Sequence, residues 1–328
     1  MPEYDVAYDP RLMNMGNDHA INIQKTMNEI VDLTGKNAIV TGGTTGLGYA
    51  TTNRLALAGA KVIIVGRSAD KGKIAETQFR DRNLDVTYCQ ADITEVEECE
   101  KVVKTCEETY GPVDILVNCA GRWTFHSFVD MEEEHFKMVM DLNIKGTYFM
   151  GKYAARSMIE NQRIGKIVNI GSSAYIACDV ENVCLMTTYE ASKGAIYSLT
   201  MGMAKELKQY GINVNCIAPG SMDTYGNEYP GIGMENYWEV EGFGGLLVDA
   251  QKNTYTTPDE CALMVFAFCT DLCNWAYGET IKCAGGRHMN QQKLPLAYTM
   301  DLPEDYTSPR KIRTRADGSA CAGKWTWE

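Results

Sequence analysis

The apolar residues of this chain gather in short β-branched runs separated by longer stretches of helical periodicity. The first run, Asn37-Ala38-Ile39-Val40, ends in a glycine-rich turn that leads into a helical stretch over 49–58. Strand-like runs at 61–65, 85–89 and 113–118 then alternate with amphipathic stretches at 69–82 and 95–110. Runs at 166–170, 212–217 and 280–283 follow, with helical stretches at 132–161, 188–210 and 259–273. Strand and helix in regular succession mean βαβ units, whose crossovers place helices on both faces of a parallel sheet. The pattern predicts an α/β fold, a single Rossmann-like doubly wound domain with a mostly parallel seven-stranded sheet.

Two flanks do not share this texture. Residues 1–32 contain only a short helical stretch at 23–31 and read as an N-terminal arm. Residues 287–328, interrupted by Pro295, Pro303 and Pro309, hold no run of elements long enough for another core and read as a C-terminal extension. Between the flanks, the regular succession of strands and helices spans 33–286. The 328 residues are thus expected to make one domain with two arms, without internal repeats.

Charge and composition narrow the partners. With 43 acidic against 31 basic residues the net charge is -12, so nucleic acids and anionic membranes are repelled at long range. No apolar run reaches the ~18 residues that span a bilayer, and Met1-Pro2-Glu3-Tyr4-Asp5 lacks the basic start of a signal peptide. A cytoplasmic protein is expected. The twelve cysteines, spread from Cys89 to Cys321 mostly within apolar patterns, read as reduced core residues. No Cys-x-x-Cys occurs, and His19, His126, His135 and His288 lack metal-ligand spacing, so no metal is expected.

The candidate chemistry begins at Thr41-Gly42-Gly43-Thr44-Thr45-Gly46-Leu47-Gly48, between the first strand and the first helix. Glycines there remove Cβ atoms that would block a pyrophosphate. The helix start behind them offers free N–H groups and a positive dipole end. Farther along, Tyr189 and Lys193 are four apart, which on a helix makes them neighbours on one face. An ammonium beside a phenol favours the phenolate, bringing its pKa toward the working pH for proton exchange.

The TGxxxGxG spacing resembles the glycine motif of the short-chain dehydrogenase/reductase family, and further marks arrive in that family's order. Asn118-Cys119-Ala120-Gly121 resembles its Asn-Asn-Ala-Gly, with cysteine in place of the second asparagine. Asn143 matches its helix asparagine, Ser172 its serine, and Tyr189-Glu190-Ala191-Ser192-Lys193 its YxxxK. Pro219-Gly220, Thr224 and Cys283-Ala284-Gly285-Gly286 match the remaining landmarks. Ser172 is preferred to Ser173 because it stands two residues after Ile170 at the strand end. The interval from Ser172 to Tyr189 is longer than usual for the family, which places an insertion within 177–188.

The resemblance implies an oxidoreductase that interconverts a ketone and a secondary alcohol with a nicotinamide dinucleotide. Tyr189 would be its acid or base, Lys193 would tune Tyr189 and hold the nicotinamide ribose, and Ser172 would donate to the substrate oxygen. Asn143 would support a water-linked proton path through the lysine. Dinucleotide contacts are implied at Gly42, Thr44, Thr45, Gly46, Leu47 and Gly48 in the turn. Others fall at Arg67 and Ser68 after the second strand, Asp92 and Ile93 after the third, and Asn118 and Gly121 after the fourth. Tyr189, Lys193, Pro219, Gly220, Met222 and Thr224 complete the implied set.

The second strand ends in Gly66 where an NAD-preferring relative usually carries an acid, and Arg67 follows. A guanidinium pairs with a 2'-phosphate, so the pattern favours NADP(H) over NAD(H). Against this, Thr44-Thr45 stand where many NADP members of the family carry a second basic residue. Asp92 reads either as the adenine-contacting acid or as a cap of the helix starting near Thr94.

The segment from 221 to 258, with Met222, Tyr225, Tyr229, Met234, Tyr237, Trp238 and Phe243, corresponds to the family's lid. Its apolar content suits a bulky ketone or alcohol such as a steroid, bile acid or polyphenol, and Arg122, Trp123 and Phe125 could line the same pocket. The alternatives are a catalytically inactive dinucleotide-binding sensor or scaffold, and a sugar-type dehydrogenase. A homotetramer or homodimer is implied by the resemblance. The stripe Ile196, Leu199, Met203 and Leu207 is open to core or interface use.

Overall fold

The computed structural model describes residues 25–176, 185–220, 222, 257–284, 310–314 and 320–327. Seven strands, β1 (Asn37–Thr41), β2 (Lys61–Gly66), β3 (Val86–Gln90), β4 (Ile115–Asn118), β5 (Lys166–Ile170), β6 (Asn213–Pro219) and β7 (Thr280–Cys283), form one sheet. All pairs are parallel, in the order β3-β2-β1-β4-β5-β6-β7. The helices are α1 (Met27–Val31), α2 (Gly46–Leu57), α3 (Ala69–Arg80), α4 (Val96–Thr109), α5 (Glu133–Met140), α6 (Thr147–Glu160), α7 (Thr187–Leu207) and α8 (Pro258–Cys269).

The strands at the middle of the sheet are largely apolar and buried because helices cover both faces. Side-chain alternation then divides each strand between two cores. Ala38, Val40, Val62, Ile64, Ile115 and Val117 meet α2, α3 and α8, whereas Ile39, Ile63, Val65 and Leu116 meet α4, α6 and α7. Each fully buried Ile or Phe, such as Ile63, Ile64 or Phe79, contributes about 1.5–3 kcal/mol of transfer free energy. Ile196 on α7 is fully buried, and Met203 and Leu207 pack against the second core, so that stripe faces inward over much of its length. Burial pushes the thiols of Cys106 and Cys269 up to about 12 and that of Cys99 up to about 11, which keeps them protonated and unreactive. The nine described cysteines are free.

Local signals explain the helix starts. At α8, Thr257 and Glu260 form a reciprocal capping box with proline in the first turn. Arg54 of α2 donates to Asp259 of α8 at 2.7 Å, joining the helices that cover one face.

Two features depart from the sequence pattern. The stretch 132–161 is expected as one helix, yet a π-helical turn, Asp141–Gly146, separates α5 from α6. Gly146 is pressed against Ile93 there, and a Cβ would lie 3.0 Å from the Ile93 carbonyl oxygen. Nothing in hydrophobic period marks such a turn, which changes register by a single residue. The second is an antiparallel ribbon of β8 (Arg310–Thr314) and β9 (Ala320–Trp327), in the tail read as an extension without a core of its own. Residues 177–184 of the insertion expected within 177–188, and nearly all of the expected lid at 221–258, fall outside the described residues. Among those described, no helix is long and apolar enough to cross a membrane, and no cluster of metal ligands occurs.

At the opposite end of the sheet from the glycine turn, a buried carboxylate ties β1 to β4. Asp114 is 2% exposed and accepts from the Asn37 backbone N–H at 2.9 Å. Lys36 and Arg163 stand 3.7 and 3.5 Å from it. Asp114→Ala leaves that N–H without its acceptor and should lower unfolding free energy by about 1–3 kcal/mol. A urea midpoint equal to that of the parent protein would contradict this account.

Candidate active site

The site lies at the carboxyl ends of β1, β4 and β5, beside the point where strand order reverses between β1 and β4. There the crossovers diverge and leave a crevice. The Thr41 hydroxyl accepts the backbone N–H groups of Cys119 at 3.0 Å and Ala120 at 3.1 Å, fastening the β4 end to the glycine turn. Gly42 has φ +66, and a Cβ on it would lie 3.0 Å from Ala120 Cα. A Cβ on Gly48 would stand 2.1 Å from the Gly42 carbonyl oxygen, so α2 could not approach the turn with any side chain there.

This close approach leaves the start of α2 open. Thr45 precedes it in an extended conformation and its side chain makes no capping bond. The first-turn N–H groups and the positive helix end are therefore available to an anion. This backbone cradle fits a dinucleotide pyrophosphate. Leu47 is 6% exposed and anchors the helix in the core beneath.

On the β2 side, Arg67 pairs loosely with Asp92 at 3.7 Å, and both side chains remain substantially exposed. The other Asp92 oxygen accepts from the Thr94 backbone at 3.1 Å and the Thr94 hydroxyl at 2.8 Å, so Asp92 also shapes the entry to α4. Ser68 caps α3 by accepting from Lys71 N–H at 3.4 Å. The side chain of Ile93 is buried in the second core. Asn118 is buried too and donates to Asn169 at 2.9 Å, linking β4 to β5. Gly220, after Pro219 at the end of β6, donates to the Cys283 carbonyl at 2.9 Å, and Met222 packs against the first core. Thr224 lies outside the described residues.

The four polar groups singled out from the motifs converge. Asn143, in the π-helical turn and 1% exposed, accepts the Arg122 N–H at 2.8 Å. Its amide donates to the Arg122 carbonyl at 2.9 Å and to Ser192 at 2.8 Å. Its side chain thus holds the loop after β4 against α7. Lys193, next to Ser192, sends its ammonium under Tyr189 and donates to the Ile170 carbonyl at 2.8 Å. A Cβ on Gly121 would lie 3.4 Å from Lys193 Nζ and 3.5 Å from Asn143 Oδ1, so the loop backbone borders both groups. The Ser172 hydroxyl is hydrogen-bonded to Tyr189 and accepts from Ala174 N–H at 3.2 Å.

Sequence spacing predicts a Tyr189 acidified by Lys193. Burial pushes the Tyr189 phenol above its ordinary value, and it is the Ser172 hydroxyl that draws it partly back. Burial also pushes Lys193 down to about 8. The ammonium sits 5.7 Å from the Tyr189 ring centroid and is engaged with the Ile170 carbonyl.

Trp123 meets Tyr189 edge-on at a centroid distance of 6.3 Å and forms an apolar border to the phenol. Arg122, expected in the same wall, is disfavoured as a charge by burial first and then by Arg67. Sequence reasoning does not single out Thr41 or Ser192. Both lie inside the motifs, but their work is to fasten backbone, which residue type alone does not announce.

Comparison with known proteins agrees with this architecture. The family description short chain dehydrogenase matches residues 36–229, and the chain belongs to that family. It is 35% identical over 192 residues to an uncharacterized oxidoreductase of Staphylococcus aureus, covering 58% of this chain and 80% of the relative. A putative gluconate dehydrogenase from Agrobacterium tumefaciens superimposes with a TM-score of 0.70 at 30% identity, covering 79% of this chain and 98% of that one. A variant actinorhodin polyketide ketoreductase, solved with NADPH, gives a TM-score of 0.69 at 27% identity, covering 77% and 97% of the two chains. The protein is accordingly an oxidoreductase of the short-chain type.

Downstream of Trp123, His126 and His135 stack at 4.2 Å, and the His126 N–H donates to the Leu185 carbonyl at 2.9 Å, just before α7. Burial first, then His135, pushes the His126 pKa below its ordinary value. The folded protein therefore prefers neutral His126. The stability this confers is present above the unfolded pKa of ~6.5 and is lost as pH falls through the lower folded value. His126→Asn should flatten the decline of melting temperature between about pH 7 and pH 5. An equally steep decline in that variant would show that His126 does not carry the effect.

Proposed function

We propose that the protein interconverts a ketone and a secondary alcohol, with NADP(H) preferred to NAD(H). The observation that carries the reading is the meeting of Ser172, Tyr189 and Lys193 beside an open glycine-turn cradle. When bound, the dinucleotide supplies or accepts the hydride. Tyr189 gives its proton to the carbonyl oxygen in reduction and takes it back in alcohol oxidation. Its raised pKa keeps it protonated in the absence of ligands, as a proton donor requires. Ser172, already bonded to Tyr189, donates to the same substrate oxygen as negative charge develops there.

Lys193 is poised to exchange a proton, because burial has brought it to about 8. Asn143 acts by position, keeping α7 and the loop after β4 in register. The preference for NADP(H) rests on Arg67 and on the absence of a carboxylate at Gly66.

Trp123 against Tyr189 favours a bulky apolar substrate, with a steroid, bile acid or polyphenol as the leading classes. A second reading, a sugar or sugar acid, is favoured by likeness to the putative gluconate dehydrogenase. The presence of all four polar groups speaks against an inactive dinucleotide sensor.

Assays with hydroxysteroids, flavonoids and sugars as oxidisable or reducible partners should reveal reversible NADP(H) turnover with one class. Tyr189→Phe is expected to retain dinucleotide binding while kcat falls by about 100-fold or more. Turnover near the parent value would rule out Tyr189 as the acid and base. Arg67→Ala should reduce the NADPH-to-NADH preference by about tenfold, and an unaltered ratio would remove Arg67 from cofactor choice.

A further inference from the structure

We propose that Cys261 and Cys283 form a paired redox site, a dithiol that a hydroperoxide converts into a disulfide joining the start of α8 to the end of β7. The proposal goes beyond the ketone and alcohol chemistry above and is independent of it, since neither residue has a task there.

Both sulfurs sit on backbone that is already fixed. At α8 the reciprocal cap of Thr257 and Glu260 sets the first turn, and the Cys261 N–H donates to the Thr257 carbonyl at 3.4 Å. At β7, Cys283 is in register with Pro219 of β6, and its carbonyl accepts the Gly220 N–H at 2.9 Å. The two strand ends are pressed together, because a Cβ on Gly220 would lie 2.9 Å from Ala284 Cα. Cys261 is fully buried in the first core, and Cys283 packs against that core from a partly exposed position. There the thiols meet, with Cys261 donating its S–H to the Cys283 sulfur. Sulfurs brought into contact from rigid elements are placed to bond with little movement of the chain. Cys119, Cys269 and Cys273 lie in or against the same core, but Cys261 is the thiol hydrogen-bonded to Cys283.

The two thiols are also chemically unequal. Burial raises the other described thiols, and Cys261 is raised first by its bond to Cys283 and then by burial. Cys283 alone among the described cysteines is pushed down, by the hydrogen bond it receives from Cys261, against the opposing effects of burial and Glu260. The thiolate is the nucleophile, so Cys283 reacts first, and its partial exposure admits a small oxidant. Cys261, enclosed and protonated, is the resolving partner.

The chemistry balances with one hydroperoxide. The Cys283 thiolate bonds to a peroxide oxygen and the O–O bond breaks. The departing oxygen takes up the proton that Cys283 had released and leaves as water, when the oxidant is hydrogen peroxide. The Cys261 sulfur then bonds to the Cys283 sulfur, the S–O bond of the sulfenic acid breaks, and the Cys261 proton leaves with that oxygen as a second water. Two thiols are oxidised by two electrons in all, and the peroxide is reduced by the same two.

Peptide mapping of the folded full chain tests this, with reduced protein exposed to hydrogen peroxide, then denatured, alkylated with N-ethylmaleimide and digested. Trypsin cuts after Lys282 and separates Cys283 from the peptide holding Cys261, so the disulfide appears as two joined peptides that dithiothreitol releases. Chymotrypsin cuts at Phe266 and Phe268 and divides Cys261 from Cys269 and Cys273, which identifies the partner without any substitution. Cys261 joined to Cys283 should be the main product at Cys283. In Cys261→Ser, the joined peptides should be absent and dimedone should trap Cys283 as its sulfenic acid. Oxidation should raise the melting temperature of the parent by several degrees and not that of Cys261→Ser. Recovery of Cys283 as its alkylated thiol after peroxide treatment of the parent, or its joining to Cys269 or Cys273, would overturn the assignment.

Discussion

The amide of Asn143 is the contact on which the site's geometry depends. One side chain, almost wholly buried in a π-helical turn, occupies both backbone groups of Arg122 and the hydroxyl of Ser192. It thereby joins three pieces of chain far apart in sequence: the loop leaving β4, the turn between α5 and α6, and the first turns of α7. Lys193 follows Ser192 directly, so the same contact sets where the ammonium lies relative to Tyr189. The π-helical turn is what brings the amide inward to reach all three partners, a local irregularity maintained because of what it holds.

A second constraint is electrostatic. The chain carries a net charge of -12, yet Lys193, Arg67 and Arg122 gather at one end of the sheet with the open start of α2. Each cation bears a cost that the fold does not remove. Lys193 is lowered to about 8 by burial, Arg122 is disfavoured by burial and by Arg67, and Arg67 is paired loosely with Asp92 among the described residues. An anionic ligand approaching this acidic protein thus meets a local attraction against a repulsive background, which restricts where it can settle.

Much of this was legible in the residues because repeated physical requirements leave repeated marks. The inner strands announce themselves as apolar runs such as Ala38-Ile39-Val40 and Ile115-Leu116-Val117, since a strand covered on both faces has no polar side to show. The glycine turn and the Tyr189–Lys193 pair are legible because one needs missing side chains and the other a helical spacing. Less legible were features set by tertiary crowding. The π-helical turn depends on Gly146 against Ile93, the phenol's raised pKa depends on burial, and Arg122's neighbour comes from a strand on the far side of β1. The ribbon at 310–314 and 320–327 escaped notice because its strands lack sustained alternation and are broken by charged residues and glycine.

The strand order has a consequence for how the molecule comes into being. β1 lies inside the sheet between β2 and β4, but its β4 partner arrives late, as the 77-residue separation of the Asn37–Asp114 contact shows. Long closures of this kind are entropically costly and tend to follow more local assembly. During synthesis, β1, β2 and β3 can pair while the crevice still has only one bank. The second bank waits for β4, and the groups proposed to move the proton wait for β5 and α7. A ribosome-bound chain ending before α7 therefore has a sheet without an enzyme, and ligand binding can stabilise only chains that have been made nearly to the end.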